Sequence, residues 1–506
     1  MDAAAIENGP YSVPAEAQKI YREQILGNPL IRNSLPLGIE KAAQSIVFTG
    51  SDAPTLPVNL RFAESISSLK ALEASLLNLV LEEKLFIMSF ALWALDPAGA
   101  NINAGTLRTA EGRAQLARYL PSWERRFSSS DAGIRYQTAV TNIYATKDGR
   151  YFHLHCSPDP GPIQEALGLP SGVECETADA SKQPYKQAVG RLTAEELQDL
   201  VDDRRQAGTV CLTKEEYASS EHGRANAHIG LFEIIPHANV TWSKLSRVIA
   251  APVIGRSLAE LGASVMRITA HHLPDTSGLH LDTNHGKWNA CLDLRREQDR
   301  ESLRELIRGA DVFIQGYRAG ALDKHGFGEQ HVLELCRNRK DRGGIIYVAE
   351  NCYGWHGPWM VADRPLLLNH CNALTKKKKR SAMRPQLALN YYSRWLLSSV
   401  GTYPQHVWED LRRRSGIPQF EHHHSMEHTI PTVFPWLLRS GILSKSEFYT
   451  EYYAKNLAQT VRIVAPVLFY PGGEVEPGYQ VGTRTNGVDM AKWPEDLGVE
   501  VVDGDS

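Results

Sequence analysis

The chain has 506 residues, 42% of them apolar and 22% charged. This is ordinary globular usage, and it excludes a disordered chain, a collagen and a coiled-coil rod. With 55 Lys and Arg against 58 Asp and Glu, the net charge is −3, so the overall electrostatics call for no nucleic-acid partner.

The length predicts about three domains, or two large ones. The cysteines, Cys156, Cys175, Cys211, Cys291, Cys336, Cys352 and Cys371, are odd in number and form no CxxC pair. They read as reduced thiols. The opening MDAAAIENGPYSVPAE has neither a basic nor an apolar leader region, and Leu85–Leu95 is too short to span a bilayer. The closing VDGDS is no peroxisomal address. The expectation is a soluble, cytoplasmic protein without a membrane partner.

Pro10, Pro14, Pro29 and Pro36 break any long helix in residues 1–40. Glu64–Glu83 reads as a helix buried on most sides, because Ile66, Leu69, Leu72, Leu76, Leu77, Val80 and Leu81 recur at helical spacing. Thr106–Leu120 is a second, more polar helix. From Gln137 two strand-like runs flank Lys147-Asp148-Gly149, a hairpin signal. IQEALGLP reads as a short helix stopped at Gly168. Thr193 and Glu196 form a capping box that opens a helix, with Gly208 as its C-cap.

Residues 243–349 alternate strand and helix. KLSRVIAAP reads as strand into loop, VIGRSLAELG as helix, and ASVMRIT and CLDLR as strands. EQDRESLRELIRGA is a helix, DVFIQGY a strand, HVLELCRNR a helix and GIIYVAE a strand. Such alternation predicts a largely parallel sheet covered by helices, with ligands at the carboxyl ends of the strands. The loops to inspect are Val248–Pro252, His271–Lys287, Gln315–Gly320 and Glu350–Pro358. After Arg364 the pattern lapses until LALNYYSRWLLSSVG, and residues 471–506 read as a loosely packed tail.

Short motifs add little. Ser67 and Lys70 make an SxxK pair inside the helix. His422, His423, His424 and His428 lack an acidic or Cys partner at a ligand spacing, so no metal site is expected. Lys376–Arg380 reads as a solvated basic loop, and there is no GxGxxG after a strand, Walker A motif or GxSxG.

Four stretches in order carry a resemblance: SRVIAAPVIGRSLAELGASVMRI, NHGKWNACLDLR, ADVFIQGYRAGALDKHGFG and IIYVAENCYGWHGPWMVADRP. Over residues 243–365 they resemble the Rossmann-like half of the family III CoA-transferases, the CaiB–BaiF family. ATKDGRYFHLHCSPDPGPIQEALGLP and the run after Thr193 resemble that family's small domain, which here precedes the Rossmann half. The resemblance implies an α/β fold with halves in swapped order, the trace of a tandem duplication. The divisions are a helical remnant over 1–136, a small α/β domain over 137–230, a CoA-binding half over 231–365, and a helical remnant with tail over 366–506.

The family moves CoA between carboxylic acids through an enzyme carboxylate, by an anhydride and then an enzyme–CoA thioester. The resemblance implies acyl-CoA and an acceptor acid as partners, no tightly bound cofactor, and an interlocked homodimer or a chain that completes the arrangement internally. It assigns CoA contacts to Val248, Ile249, Ala250, Lys287, Gln315, Tyr317 and Arg318. The family's catalytic Asp would follow the Ala-Asp-Arg-Pro stretch, but LLLNHCNALTKKKKRSAMRPQ holds no acid. Glu64, at the start of the first long helix, falls at the Asp position of the first copy and is the candidate nucleophile, stabilised as an anion by the helix N-terminus. An α-methylacyl-CoA racemase-like enzyme and an inactive CoA-ester-binding member are the alternatives.

Overall fold

The computed structural model describes residues 10–36, 38–78, 94–96, 110–120, 130–155, 159–204, 206–237, 250–273, 275, 280, 283–317, 320–337, 339, 344–351, 353–358, 382–420, 424, 426–441, 445–466 and 477–502. The strands are β1 (Ala94–Asp96), β2 (Asn142–Ala145), β3 (Tyr151–His155), β4 (Ala207–Val210), β5 (Phe232–His237) and β6 (Val265–Thr269). They continue with β7 (Lys287–Cys291), β8 (Val312–Gln315), β9 (Ile346–Asn351), β10 (Ala382–Ala388), β11 (Tyr449–Ala454) and β12 (Gln459–Val464). The fold is mixed α/β with small sheets, two of them carrying parallel pairs.

The sheet that organises the chain has the order β5-β10-β9-β8. β8, β9 and β10 run parallel, with Gln315 opposite Ala349 and Ala349 opposite Gln386, and β5 joins β10 antiparallel. β6 and β7 form a parallel pair. Phe313, Ile314, Tyr347, Val348, Met266, Ile268, Trp288 and Ala290 enter one core with the helix Glu297–Gly309, which supplies Leu303, Leu306 and Ile307. Ile20, Tyr21, Ala71 and Leu72, far away in sequence, join that core. Residues 10–78 therefore pack on the sheet instead of standing apart.

The helix Phe62–Asn78 agrees with its periodicity and is buried on polar and apolar sides alike. Its buried Lys70 pairs with Glu73 at 2.5 Å, which occupies the lysine of the SxxK pair. Ser68 Oγ donates to the carbonyl of Ala17 at 2.8 Å, fixing the helix against Val13–Ile20.

A second core surrounds the antiparallel sheet β2-β3-β4. The Asp-Gly hairpin forms as expected, with Thr146 Oγ1 donating to Asp148 Oδ1 at 2.6 Å. The capping box at Thr193 is present, opening the helix Ala194–Asp203. Gly208 is not its C-cap. The helix stops at Asp203, and Gly208 lies in β4 opposite Leu154. A Cβ there would sit 2.8 Å from Phe152 Cε1 and 3.2 Å from Val201 Cγ1. Gly208→Ala is expected to cost about 1–3 kcal/mol by overpacking, read as a lowered urea midpoint.

Four further expectations are corrected. KLSRVIAAP is not strand and loop to its end, because a helix is already formed at Ala250 and runs to Glu260. Pro252 is tolerated in its first turns, where no donor is needed. The strand expected at CLDLR lies earlier, at Lys287–Cys291, because β6 pairs with that register. The strand β10 was hidden by Pro385. It pairs there with Ile234 of β5, while the β9 ladder starts one residue later at Gln386, so the missing N–H breaks no β9 bond. Finally, residues 477–502 are no loose tail. Arg484 is fully buried, Trp493 donates to the Leu306 carbonyl at 3.0 Å, and Gly478 and Asp489 bridge to Leu261 and Ala290.

Among the described residues no helix is long and apolar enough to cross a membrane. Leu85–Leu95 falls on Ala94–Asp96 of β1 only in part, and the rest lies outside the described residues. Cys175, Cys211, Cys291 and Cys336 are free thiols.

Candidate functional site

Glu64 stands in the first turn of Phe62–Asn78 and is fully buried. The Tyr11 hydroxyl donates to its Oε1 at 2.7 Å, and the Tyr403 hydroxyl lies 3.4 Å from Oε2. The two rings meet edge to face with centroids 5.7 Å apart. Burial pushes the Glu64 carboxyl above its ordinary value, and the Tyr11 bond, the Arg61 charge and the Tyr403 bond pull it partly back. Arg61 is held by Glu16 at 2.8 Å and by the Val400 carbonyl. Ser65, the next residue, shares a 3.0 Å hydrogen bond with the Tyr392 hydroxyl. The result is a buried carboxyl group whose two oxygens are each met by a phenolic donor. Tyr11 and Tyr403 were not legible as partners, since they lie 53 and 339 residues from Glu64, whereas Arg61, three residues before it, stood in the same stretch and was passed over.

The carboxyl ends of β8, β9 and β10 gather a second set of groups. Gln315 is buried, and its Oε1 accepts from the Tyr317 N–H at 3.0 Å. Arg318 lies outside the described residues. At the end of β9 stands Glu350, whose half-buried carboxyl is pushed up to about 7 by burial. The turn beyond it is clamped. His222 Nε2 lies 2.7 Å from the Tyr353 carbonyl, which also accepts from Asn390 Nδ2 at 2.7 Å. Asn226 Nδ2 donates to the His356 carbonyl at 2.7 Å, and Tyr217 donates to Asn390 Oδ1 at 2.8 Å.

The raised carboxyl of Glu350 has a consequence for stability. It holds its proton in the folded state from about 4.5 to about 7, where the unfolded chain has released it. Its contribution is therefore full below about pH 4.5 and declines as pH rises through about 7. Glu350→Gln cannot ionise. It is expected to gain about 1–3 kcal/mol over wild type at about pH 8 relative to about pH 4.5, measured as urea unfolding midpoints at both. Equal pH dependence in the two proteins would refute the assignment.

The loop after β6 builds a third set. Asp275 Oδ2 accepts from Arg267 at 2.6 Å and from Asn486 Nδ2 at 2.7 Å, and lies 3.0 Å from His280 Nε2. Lys287, fully buried, donates to the carbonyls of Thr283 and Pro252. Gly286 between them has φ +69, and a Cβ would meet Ala259 Cβ at 2.5 Å, so glycine is what lets this loop lie on the helix Ala250–Glu260. Asn284 is buried with neither amide atom hydrogen-bonded. This residue opens the NHGKWN stretch and was the signal that sequence reasoning passed over. Val248 and Ile249 lie outside the described residues, and Ala250 is helical.

Among the described residues no group of three or more His, Cys, Asp or Glu could hold a metal ion. His424 and His428 stack at 4.1 Å, while His422, His423 and Lys376–Arg380 lie outside the described residues.

Residues 238–365 match the family model described as CoA-transferase family III. An acetyl-coenzyme A transferase of Hypoxylon pulicicidum is 36% identical over 576 residues, covering 97% of this chain and 95% of that protein. An acyl-CoA transferase of Gibberella moniliformis is 33% identical over 270 residues, 49% of this chain and 46% of the relative. A crystal structure of a CaiB/BaiF family protein from Brucella suis is 24% identical with a TM-score of 0.20, covering 24% of this chain and 35% of that one.

Proposed function

Because the chain belongs to CoA-transferase family III, we propose that it moves CoA from an acyl-CoA to a carboxylic acid with Glu64 as nucleophile. The observation that carries the assignment of the acid is the pocket itself: a buried carboxylate at a helix start, with two tyrosine hydroxyls on it. The Glu64 carboxylate attacks the acyl carbonyl, a C–O bond forms, the C–S bond breaks and CoA leaves as thiolate. The thiolate then attacks the Glu64 side of the anhydride and releases the donor acid. The acceptor carboxylate repeats the sequence in reverse. The tyrosine hydroxyls, which donate to the two oxygens of Glu64, orient its carboxylate for attack. Tyr11 is half-buried, so in this reading it is the side of Glu64 from which an acyl group approaches.

CoA itself is substrate, not a resident cofactor. Its cradle in this reading is the segment Val248–Ala250, the loop 280–287 and the β8 end with Gln315, Tyr317 and Arg318. The unsatisfied, buried Asn284 supports a polar ligand at that loop. Lys287 is already bonded to two carbonyls, so its role is to seat the loop on the helix, with its charge felt by the nucleotide at a distance. The swapped order of halves, a cytoplasmic setting, and either an interlocked homodimer or a chain that completes the arrangement internally belong to the same reading. The acetyl-CoA transferase named above makes acetyl-CoA the first donor to try.

The test is trapping. Protein is incubated with acetyl-CoA, treated with hydroxylamine and digested, and the Glu64 peptide is weighed. A hydroxamate on that peptide supports the reading. A hydroxamate on another acid, or exchange of an α-proton without any adduct, sinks it.

A further inference from the structure

Three segments of chain meet at Glu64, and one side chain ties them together. Arg61 stands just before the helix Phe62–Asn78, and its carbonyl accepts the Ser65 N–H at 2.9 Å in the first turn. Its guanidinium donates through Nη1 to Glu16 Oε2 at 2.8 Å and through Nη2 to the Val400 carbonyl. Its backbone N–H donates to the Gly401 carbonyl at 3.2 Å. Glu16 lies in the first turn of Val13–Ile20, whose N-cap Ser12 directly follows Tyr11. Val400 closes the helical turn Leu396–Val400 and Gly401 caps it. Tyr403 comes two residues later, and its N–H donates to Asn59 Oδ1 at 3.3 Å. One guanidinium thus grips both segments that deliver a phenol to Glu64, Tyr11 at Oε1 and Tyr403 at Oε2. The Arg61 side chain is only 18% exposed, so water competes little for these bonds. Its charge favours the Glu64 anion against burial and is felt by Tyr11 and Tyr403 as well.

We propose that Arg61 is the positioning residue of the transfer site: its guanidinium locks the Tyr11 and Tyr403 segments onto the helix of Glu64 and so fixes the orientation of the attacking carboxylate. The inference rests on the transferase reading above. Among the described residues the bonds of the guanidinium go to Glu16 and Val400, so Arg61 acts on the reaction through the groups that it places. A planar fork holds two acceptors at once in a fixed geometry, which an ammonium does not. A phenol displaced by about 1 Å leaves the carboxylate free to turn out of line with the acyl carbon.

The test is exchange of labelled acetate into acetyl-CoA by the full chain, with hydroxylamine trapping of Glu64 alongside. Arg61→Met keeps the stem and removes fork and charge, and Arg61→Lys keeps the charge without the fork. Arg61→Met is expected to lose about 10-fold to 10²-fold in kcat, with acetyl-CoA affinity by calorimetry within about threefold. The titratable and charged groups that face Glu64 are Tyr11, Tyr403 and Arg61, with Glu16 behind the guanidinium. Removing the cation is therefore expected to move the acidic limb of the pH–rate profile upward by about one pH unit, because the anion loses its favourable charge. Arg61→Lys is expected to bring that limb back to within about half a pH unit while recovering only part of the rate. A folded Arg61→Met with wild-type kcat and profile, lowered in melting temperature alone, overturns this inference by itself, since a merely structural arginine behaves so. Arg61→Lys at the full wild-type rate also overturns it, and that variant decides should Arg61→Met not fold. No hydroxamate on Glu64 in the wild type overturns the transferase reading and this inference with it.

Discussion

Glu64→Gln is expected to lower CoA transfer at least about 10³-fold, equivalent to about 4 kcal/mol of barrier, while the protein stays folded. The amide is the same size as the carboxyl and cannot form the anhydride. Its oxygen still accepts from the Tyr11 hydroxyl, which donates to Oε1 at 2.7 Å in the native pocket. Its NH2 faces the Tyr403 hydroxyl, whose oxygen can accept. Because burial already disfavours the Glu64 anion, the neutral amide is expected to keep or slightly raise stability. Acyl-CoA affinity should change little. Glu64→Asp keeps the nucleophile but withdraws it by one methylene from both tyrosines, with an expected loss of about 10-fold to 10²-fold. The check is steady-state exchange on the three proteins, with melting curves beside it. A glutamine variant within tenfold of wild type would move the nucleophile elsewhere.

The largest stability effect is expected at Arg484. Its guanidinium is fully buried, pairs with Asp489 and, at 2.7 Å, with Glu500, and lies 4.8 Å over the Trp288 ring. Both carboxylates are buried almost completely. Removing the cation leaves two charges in low dielectric, and Arg484→Ala should cost about 3–5 kcal/mol. The charge, more than the lost volume, is the cause. Arg484→Met combined with Asp489→Asn and Glu500→Gln is therefore expected to recover much of that loss. The readout is the urea midpoint, together with limited proteolysis. Residues 477–502 hold Leu261, Ala290 and Leu306 through the contacts that Arg484 anchors, so cleavage should begin in that stretch. A triple variant no better than Arg484→Ala would assign the loss to packing on Trp288 instead.

Signals carried by neighbouring residues were legible. Thr193 and Glu196 close their capping box through atoms three residues apart, and Asp148-Gly149 turns the chain whatever surrounds it. The alternation that gives β6, β8 and β9 with the helix Glu297–Gly309 follows from the same short-range periodicity. The order of motifs from Ser243 to Pro365 was enough to point to the family that the comparisons support.

What the sequence by itself determined is thus the local elements, the α/β class and the family. Tertiary structure decided the rest, because each of those features depends on a partner distant along the chain. Gly208 is a strand residue since Phe152 and Val201 leave no room for a Cβ. β10 exists, despite Pro385, since β5 and β9 offer it two ladders. Residues 477–502 are anchored since a buried guanidinium satisfies two acids and caps a tryptophan. The surroundings of Glu64 were decided in the same way: its tyrosines lie 53 and 339 residues away, and only packing brings those hydroxyls within reach of one carboxylate.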